Sequence, residues 1–379
     1  MEKKANKLFD NGLTIILSVI ILLVMFVTGR EFLKHRESET IVKGPGVSEV
    51  HLLSEWFPGL KGSRGDTEVY ILRGKESGGS MLVLGGTHPN EPSGYMSAIL
   101  LIENARAVKG TVYVIPRSNN SAFSHNDPQE GAPASFTIHK PDGSERQFRF
   151  GSRATNPLDQ WPDPDMYIHA ASGQRLSGNE TRNLNRGYPG RVNGNFTEKV
   201  CYGITQLILK EDITLTIDLH EASPEYPVIN AIVAHERAMP LASNVVLGLE
   251  MEDITIGLEP SPRNLRGLTH RELGDATKTY AVLMETANPS QGRLRGRTDE
   301  HLVLTGQDVY YVKAQKLGRL YVPFDETGHP LERRVARHLT AINEFAFALV
   351  MEYPEYGVII DGIPDYNDLL EKGIGAYLK

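Results

Sequence analysis

Short apolar segments alternate with amphipathic ones over most of the chain, and this alternation strongly limits the folds it can adopt. The apolar segments have the length of strands and lie at 67–72, 81–84, 111–115, 213–217, 228–234 and 280–284. Apolar residues recur with helical spacing around 95–100, 200–208 and 331–351. Since strands and helices that alternate along a chain usually build one sheet covered by helices, we predict an α/β fold with a mixed, mainly parallel sheet flanked by helices.

Three of the predicted strands run directly into polar side chains. In α/β sheets, ligands bind beyond the carboxyl ends of the strands. We therefore expect the polar residues after these strands to meet at one edge of the sheet. They are His88 and Glu91 after strand 81–84, Asp218 and His220 after strand 213–217, and Glu285 after strand 280–284.

The spacing of His88 and Glu91 allows both side chains to reach one ion from a tight turn or a first helical turn. A His-x-x-Glu pair alone is common. With His220 from a second strand it forms the ligand set of catalytic zinc hydrolases, two histidines and one glutamate with an open position. The single cysteine, Cys201, excludes an intrachain disulfide or a site of several thiolates.

Two acidic residues near His220 have other expected roles. Asp218 lies two residues before His220 on the same strand face, so we expect either a hydrogen bond to that histidine or an ordinary carboxylate at a strand end. We expect Glu221 to be a solvated loop charge.

The N-terminal segment 11–29 has no charged residue and is almost wholly apolar in its centre. At about 1.5 Å per residue it reaches roughly 28 Å as a helix, close to the hydrocarbon thickness of a bilayer. We predict a retained transmembrane helix; the alternative is a cleaved signal peptide, because lysines precede the apolar stretch.

The predicted organisation has four parts. Residues 1–10 form a basic N-terminal segment, 11–29 the transmembrane helix, 30–48 a tether and 49–379 the catalytic domain. Basic residues flank the helix on both sides, and we favour a single-pass protein with an extracytoplasmic catalytic domain.

The charge balance argues against a nucleic-acid partner. Lys and Arg number 40 against 47 Asp and Glu, which gives a formal net charge of −7. No excess of basic residues is present to hold a phosphate backbone.

Four sequence blocks resemble one known family. They are Gly85-Gly86-Thr87-His88-Pro89-Asn90-Glu91-Pro92-Ser93-Gly94, Asn183-Leu184-Asn185-Arg186-Gly187-Tyr188-Pro189-Gly190, Asp218-Leu219-His220 and Leu283-Met284-Glu285-Thr286. In this order they are similar to the motifs of the succinylglutamate desuccinylase and aspartoacylase family, a branch of the zinc carboxypeptidase superfamily. The resemblance implies a zinc carboxypeptidase-like fold.

The resemblance also implies a role for each matching residue. His88, Glu91 and His220 would hold one zinc ion per chain, and Glu285 would be the general base that activates the zinc-bound water. Asn185 and Arg186 would bind the carboxylate of the substrate. An arginine before that motif would polarise the scissile carbonyl, and our candidate is Arg175, with Arg182 as the second choice.

The chain departs from the family in two regions. Residues 119–183 are rich in Pro, Gly, Asn, Ser and Asp, with a predicted hairpin around Asp142, and such loops usually shape access to a site. The chain after Glu285 is short for a separate β domain, although we expect some strand content within 309–322.

These observations leave two activities open. The first is a zinc-dependent deacylase that cleaves the amide bond of a small N-acyl amino acid. The alternative is a membrane-tethered zinc carboxypeptidase acting on peptides, including cell-wall peptides if the catalytic domain faces outward. A pocket closed by the 119–183 loops would favour small substrates, and an open groove would favour peptides.

Overall fold

The structure of the protein is a computed structural model that describes residues 2–127 and 130–379. Met1, the first residue of the predicted basic segment, and Pro128 and Gln129 in the long loop region lie outside the described residues. The chain divides into two compact units, one ending at Ser38 and the other running from Glu39 to Lys379.

The first unit is dominated by helix α1 (Glu2–Lys34). Its part Asn11–Lys34 is long and apolar enough to cross a membrane, with a mean hydropathy of 2.6 in its most apolar window. A signal sequence near an N-terminus has the same properties. The helix continues five residues past the predicted end at Gly29, because residues 30–34 are compatible with a helix and lack proline.

The second unit contains all of the strands that the structure describes. They are β1 (Glu49–Leu52), β2 (Glu68–Arg73), β3 (Glu76–Leu84), β4 (Arg106–Ile115), β5 (Ser135–His139), β6 (Glu145–Arg149), β7 (Met166–Ile168), β8 (Arg175–Ser177), β9 (Leu215–Ala222), β10 (Ala231–Ala234), β11 (Gly257–Pro260), β12 (Tyr280–Ala287) and β13 (Ile359–Asp361). Its helices are α2 (Pro92–Asn104), α3 (Phe196–Lys210), α4 (Met239–Met251), α5 (Thr269–Ala276), α6 (Glu300–Thr305), α7 (Val309–Lys316), α8 (Leu331–Glu352) and α9 (Tyr366–Lys372).

The main sheet has the strand order β1-β2-β4-β3-β9-β12-β10-β11, and β13 pairs with β4. Strands β4, β3, β9 and β12 at its centre run parallel to one another. The outer pairs β1–β2, β2–β4 and β10–β12 are antiparallel. The predicted fold class, a mixed and mainly parallel sheet flanked by helices, is therefore confirmed.

Helices cover both faces of the sheet because successive strand residues point to opposite sides. On β3, Met81 and Val83 pack in one core with residues of α2, α4 and α8. Leu82 and Leu84 pack in a second core with residues of α3 and α5. Each face of the sheet is therefore covered by its own set of helices.

Strand boundaries differ from the predicted ones at the functionally important positions. Strand β9 continues through Asp218 and His220, and β12 continues through Glu285, because the two strands stay paired with Glu285 opposite His220. The hairpin around Asp142 is present as β5 and β6. The strand content expected within 309–322 is wrong: α7 forms there, since the side chain of Asp308 accepts hydrogen bonds from the first backbone amides of the helix.

Part of the segment predicted as a tether belongs to the folded unit. Glu39 forms an ion pair with Arg117 at 3.0 Å, and the backbone amide of Val42 donates to Glu103 Oε1 at 3.1 Å. Gly44 packs against the backbone of Glu103 so closely that a Cβ atom would lie 2.3 Å from its carbonyl oxygen. Residues from Glu39 onwards are thus fixed by polar contacts that their sequence does not reveal.

Candidate metal centre

The ends of three neighbouring strands bring the predicted polar residues together. His88 and Glu91 lie in the turn between β3 and α2, His220 lies on β9, and Glu285 lies opposite it on β12. The turn after β3 bends sharply at Gly86, which has φ +65° and whose Cβ, if present, would lie 2.7 Å from the ring of Phe123. A glycine is required there because only glycine adopts this conformation without strain.

His88, Glu91 and His220 each offer a ligand atom within 4.8 Å of the other two, and all three residues are buried. We call these three residues the metal-ligand group because their atoms are close enough to hold one ion. The Nδ1 atom of His88 lies 2.8 Å from Glu91 Oε1, and the Nδ1 atom of His220 lies 2.9 Å from Glu91 Oε2. The two imidazoles therefore present the same ring nitrogen to one carboxylate.

The opposite ring nitrogens are held by other side chains. Nε2 of His220 lies 2.9 Å from Asp218 Oδ2, and Nε2 of His88 lies 2.8 Å from Asn183 Oδ1. Asp218 is itself fixed by a hydrogen bond from the Thr87 hydroxyl at 2.8 Å. Metal-binding histidines commonly donate their second N–H to such acceptors, which sets the ring orientation and the tautomer.

The hydrogen bonds of the two histidines are compatible with a bound metal ion. With the proton on Nε2, each neutral imidazole directs the lone pair of Nδ1 towards the carboxylate of Glu91. Two acceptor nitrogens and two acceptor oxygens then face one another in a buried space, and a cation between them satisfies all of these atoms. The donor set of two nitrogens and a carboxylate suits zinc.

The carboxylates of Glu91 and Asp218 favour a positive charge at this point, either a proton on His220 or a cation in its place. Burial lowers the pKa of His88 to about 4, and the nearby Arg153 guanidinium acts in the same direction. Burial alone would lower the pKa of His220, but the carboxylates of Asp218 and Glu91 raise it above its ordinary value. Burial would raise the pKa of Glu91, whereas the two imidazoles lower it well below its usual range. The site therefore holds an ionised carboxylate between two imidazoles.

A cavity of about 500 Å³ opens directly on this group. Glu285 lines it, and its Oε2 atom is buried with no hydrogen-bond partner among the described residues. Burial raises the pKa of this carboxyl above its ordinary value. A buried carboxyl group without a partner at this place can exchange a proton with a molecule that enters the cavity.

Asn185 and Arg186 also line the cavity. The Oδ1 atom of Asn185 accepts hydrogen bonds from the backbone amide of Thr269 at 2.8 Å and from its hydroxyl at 3.0 Å. The guanidinium of Arg186 donates through Nη1 to the carbonyl of Asn185 and lies 3.7 Å from Glu180. Both predicted substrate-binding residues therefore reach the same cavity as the metal-ligand group.

The structure does not bring Arg175 to this cavity. Arg175 is exposed on the short strand β8, and Arg182 is held by an ion pair with Asp163 at 2.7 Å. The arginine beside the metal-ligand group is Arg153, whose Nη1 lies 3.5 Å from Glu91 Oε1 and 3.5 Å from His88 Nδ1. Arg153 was hidden from sequence reasoning because it lies in a long loop without strand or helix periodicity.

Two further residues have functions that the sequence did not reveal. Glu221, expected as a loop charge, is buried on β9 and forms an ion pair with Arg334 of α8. Asn183 accepts a hydrogen bond from His88, and the signal for it in the sequence was its place at the start of the block that also contains Asn185. Asp218 has the hydrogen bond to His220 that was one of the two alternatives expected for it.

Comparison with known proteins gives structural matches only. No protein-family model and no curated protein matches the sequence. A succinylglutamate desuccinylase from Silicibacter sp. TM1040 matches with 15% identity over 60% of this chain and 55% of its own, at a TM-score of 0.37. The apo cell shape determinant protein Csd4 from Helicobacter pylori matches with 14% identity over 80% of this chain and 57% of its own, at a TM-score of 0.44.

A succinylglutamate desuccinylase/aspartoacylase from Rhodobacter sphaeroides matches with 14% identity over 60% of this chain and 54% of its own, at a TM-score of 0.36. The chain thus spans just over half the length of these solved structures. They include members of the family that the four sequence blocks resemble.

Proposed function

We propose that this protein is a zinc-dependent hydrolase that cleaves an amide bond in a substrate bearing a carboxylate, as an N-acyl amino acid deacylase. The observation that carries the proposal is the meeting of His88, Glu91 and His220 at one buried point, with Glu285 beside them in an accessible cavity. His88 and Glu91 follow β3, His220 lies on β9 and Glu285 lies on β12, so the fold brings residues from three strands to one place.

The zinc ion would be held by His88 Nδ1, His220 Nδ1 and the carboxylate of Glu91. When bound, it would act as a Lewis acid on the scissile carbonyl and lower the pKa of a water molecule towards about 7. The hydrogen bonds from Nε2 to Asn183 and Asp218 keep both rings in the tautomer and orientation that this coordination needs.

Glu285 is the general base in this proposal. Its buried Oε2 takes a proton from the attacking water and returns it to the departing amine. The carbon–nitrogen bond of the amide breaks, the water oxygen is added to the carbonyl carbon, and the products are a carboxylate and an amine. The side chains of Arg186, Asn185 and Arg153 provide the remaining contacts with the substrate.

Arg186 and Asn185 bind the carboxylate of the substrate, since a guanidinium fork makes two parallel hydrogen bonds to a carboxylate. Arg153 takes the role of polarising the scissile carbonyl that the sequence suggested for Arg175. Its side chain is 42% exposed, which leaves it free to turn from Glu91 towards a bound substrate.

One observation favours peptide substrates and keeps the carboxypeptidase alternative open. A second cavity of about 190 Å³ is lined in part by Arg153 and Gln291, which also line the first cavity. In this alternative, a substrate longer than a small N-acyl amino acid would extend past Arg153 and Gln291 towards the second cavity.

We further propose that α1 anchors the protein in a membrane as a single pass, with the catalytic unit on the extracytoplasmic side. Cysteine labelling with a membrane-impermeant reagent tests this orientation after an exposed residue of the second unit, such as Ser144, is replaced by cysteine. Labelling in intact cells supports the proposal, and labelling only after lysis contradicts it.

The function is tested on the full chain, purified in detergent and loaded with zinc. N-acetyl amino acids and dipeptides are assayed side by side, with the wild type and Glu285→Gln. We expect hydrolysis that depends on zinc and on Glu285. Zinc-loaded wild type that hydrolyses neither class would contradict the proposal, and hydrolysis of dipeptides alone would favour the carboxypeptidase.

A further inference from the structure

Part of the lining of the main cavity is apolar. Val233 on β10 and Leu283 on β12 lie opposite each other in the sheet, and Leu283 shares a strand face with Glu285 because it lies two residues before it. The two apolar side chains are only 5% and 2% exposed, yet neither belongs to a packed core of the described chain. They line the cavity instead.

The loop between β11 and α5 forms the facing wall. Leu265 and Leu268 of this loop line the cavity, with Leu268 buried and Leu265 partly exposed. They also lie outside the packed cores of the described residues. Together with Val233 and Leu283 they form an apolar part of the cavity lining, which we call the apolar slot.

The apolar slot is fixed directly beside the residues that bind the substrate carboxylate. Gly267, between its two leucines, has φ +82° and lies against the backbone of Arg186, where a Cβ atom would be 2.1 Å from the carbonyl oxygen. The carbonyl of Gly267 also accepts a hydrogen bond from the backbone amide of Tyr188 at 3.3 Å. The loop is therefore tied to the segment that carries Asn185 and Arg186.

This arrangement determines which part of the substrate enters the slot. In the proposed function, Arg186 binds the carboxylate of the amino acid that is released. The side chain on the same carbon atom would then reach the apolar slot. Apolar groups gain free energy by leaving water for such a surface, whereas an acidic or amide side chain would lose its hydration and find no polar partner among the four side chains of the slot.

A negative charge next to the slot disfavours acidic side chains further. Glu259 on β11 pairs with Val233 across the sheet, lines the cavity and is exposed. Its carboxylate repels a second carboxylate that enters the slot.

We propose that the amino acid released by this enzyme carries an apolar side chain of the leucine or phenylalanine class, held in the apolar slot. This inference rests on the proposed function and names its substrate class. The reaction is hydrolysis of an N-acyl or N-glycyl derivative of such an amino acid, with water as the only co-reactant and the apolar amino acid as the amine product.

The test measures kcat/KM of the zinc-loaded full chain for the N-acetyl and N-glycyl derivatives of leucine, phenylalanine, aspartate and glutamine. We expect leucine and phenylalanine to exceed the other two by at least about tenfold, the discrimination that a few buried apolar carbons provide. A preference for aspartate or glutamine, or equal rates for all four, would overturn the proposal.

Leu265→Asn tests the slot itself, and Leu258→Asn is the matched control. Both leucines are partly exposed, but Leu258 packs against a core and does not line the cavity. We expect Leu265→Asn to reduce the preference for leucine over glutamine about tenfold, and Leu258→Asn to leave the ratio unchanged. If Leu265→Asn fails to fold, Val233→Thr, which keeps the side-chain volume, replaces it. An unchanged ratio in the folded slot variant would overturn the proposal.

A binding measurement separates failure of the slot from failure of the proposed function. Calorimetry with zinc-loaded Glu285→Gln measures the binding of free leucine and free aspartate, which need no turnover. Leucine binding that depends on Leu265, without hydrolysis by the wild type, supports the slot and rejects the hydrolase. Hydrolysis without side-chain preference supports the hydrolase and rejects the slot, and absence of both hydrolysis and leucine binding rejects both.

Discussion

Arg334 and Glu221 form an ion pair at 2.7 Å in which the two side chains are only 1% and 0% exposed. Glu221 follows His220 on β9, and its backbone amide donates to Glu91 Oε2 at 3.0 Å. Its carboxylate also accepts a hydrogen bond from the backbone amide of Ser93 in the first turn of α2. The long helix α8 is thereby connected through one ion pair to the elements that carry the metal-ligand group.

Replacing Arg334 with methionine should lower the free energy of unfolding by about 3–5 kcal/mol, because the charge of Glu221 then remains buried without its partner. Chemical denaturation of the full chain measures the change. Arg333→Met is the matched control, since Arg333 is partly exposed and has only a long hydrogen bond of 3.4 Å. A loss in the control as large as that in Arg334→Met would contradict the role of the ion pair.

Asp218→Asn should weaken zinc binding by roughly 10- to 100-fold, because an amide is a poorer acceptor for the N–H of a metal-binding histidine. Competition with a chromophoric chelator measures the affinity. Asp212→Asn, at an exposed residue before the same strand, should leave it unchanged. Equal affinities for wild type and Asp218→Asn would show that the hydrogen bond to His220 does not tune the site.

Arg153→Ala should lower kcat/KM by roughly 10²- to 10³-fold, the usual loss when one group that stabilises the developing oxyanion is removed. Arg175→Ala should have no effect on kcat/KM, because Arg175 is exposed and does not line the cavity. Steady-state kinetics on the preferred substrate compares the two variants. A larger loss of kcat/KM in Arg175→Ala than in Arg153→Ala would support Arg175, the residue suggested by the sequence, as the arginine that polarises the scissile carbonyl.

Acid should destabilise the protein through His329. Burial lowers its pKa from 6.5 to about 4, so the folded state favours the neutral ring. The resulting stability is complete above pH 6.5 and is lost as the pH falls towards 4. His329→Gln should therefore lose less free energy of unfolding than wild type between pH 7 and pH 4.5 in urea titrations. His139→Gln, at an exposed position, should behave like wild type.

The sequence predicted the sheet and the meeting of the metal-ligand group because both depend on local patterns. Strand periodicity and the polar residues at strand ends can be recognised in the sequence alone. Arg153 and Glu221 were not assigned correctly because their roles depend on partners far along the chain, such as Arg334. The apolar slot was equally hidden, since Leu265 lies in a loop and only the fold places it in the same cavity as Arg186.

The ends of α1 and of the tether were missed for a related reason. Helix α1 continues beyond the apolar segment, and the sequence contains no signal that marks its end at Lys34. Residues 39–48 contain charged residues and breakers, yet Glu39 is fixed by the ion pair with Arg117. Such contacts between distant segments are properties of the tertiary fold.

The most direct test of the central claim combines metal content and turnover in three purified proteins: wild type, Glu285→Gln and His220→Ala. Metal analysis after dialysis and kcat on the best substrate are measured on the same samples. We predict about one zinc per chain in wild type and Glu285→Gln, a kcat lowered by roughly 10²- to 10⁴-fold in Glu285→Gln, and loss of both metal and turnover in His220→Ala. A His220→Ala protein that keeps its zinc, or a Glu285→Gln protein that keeps wild-type kcat, would contradict the account.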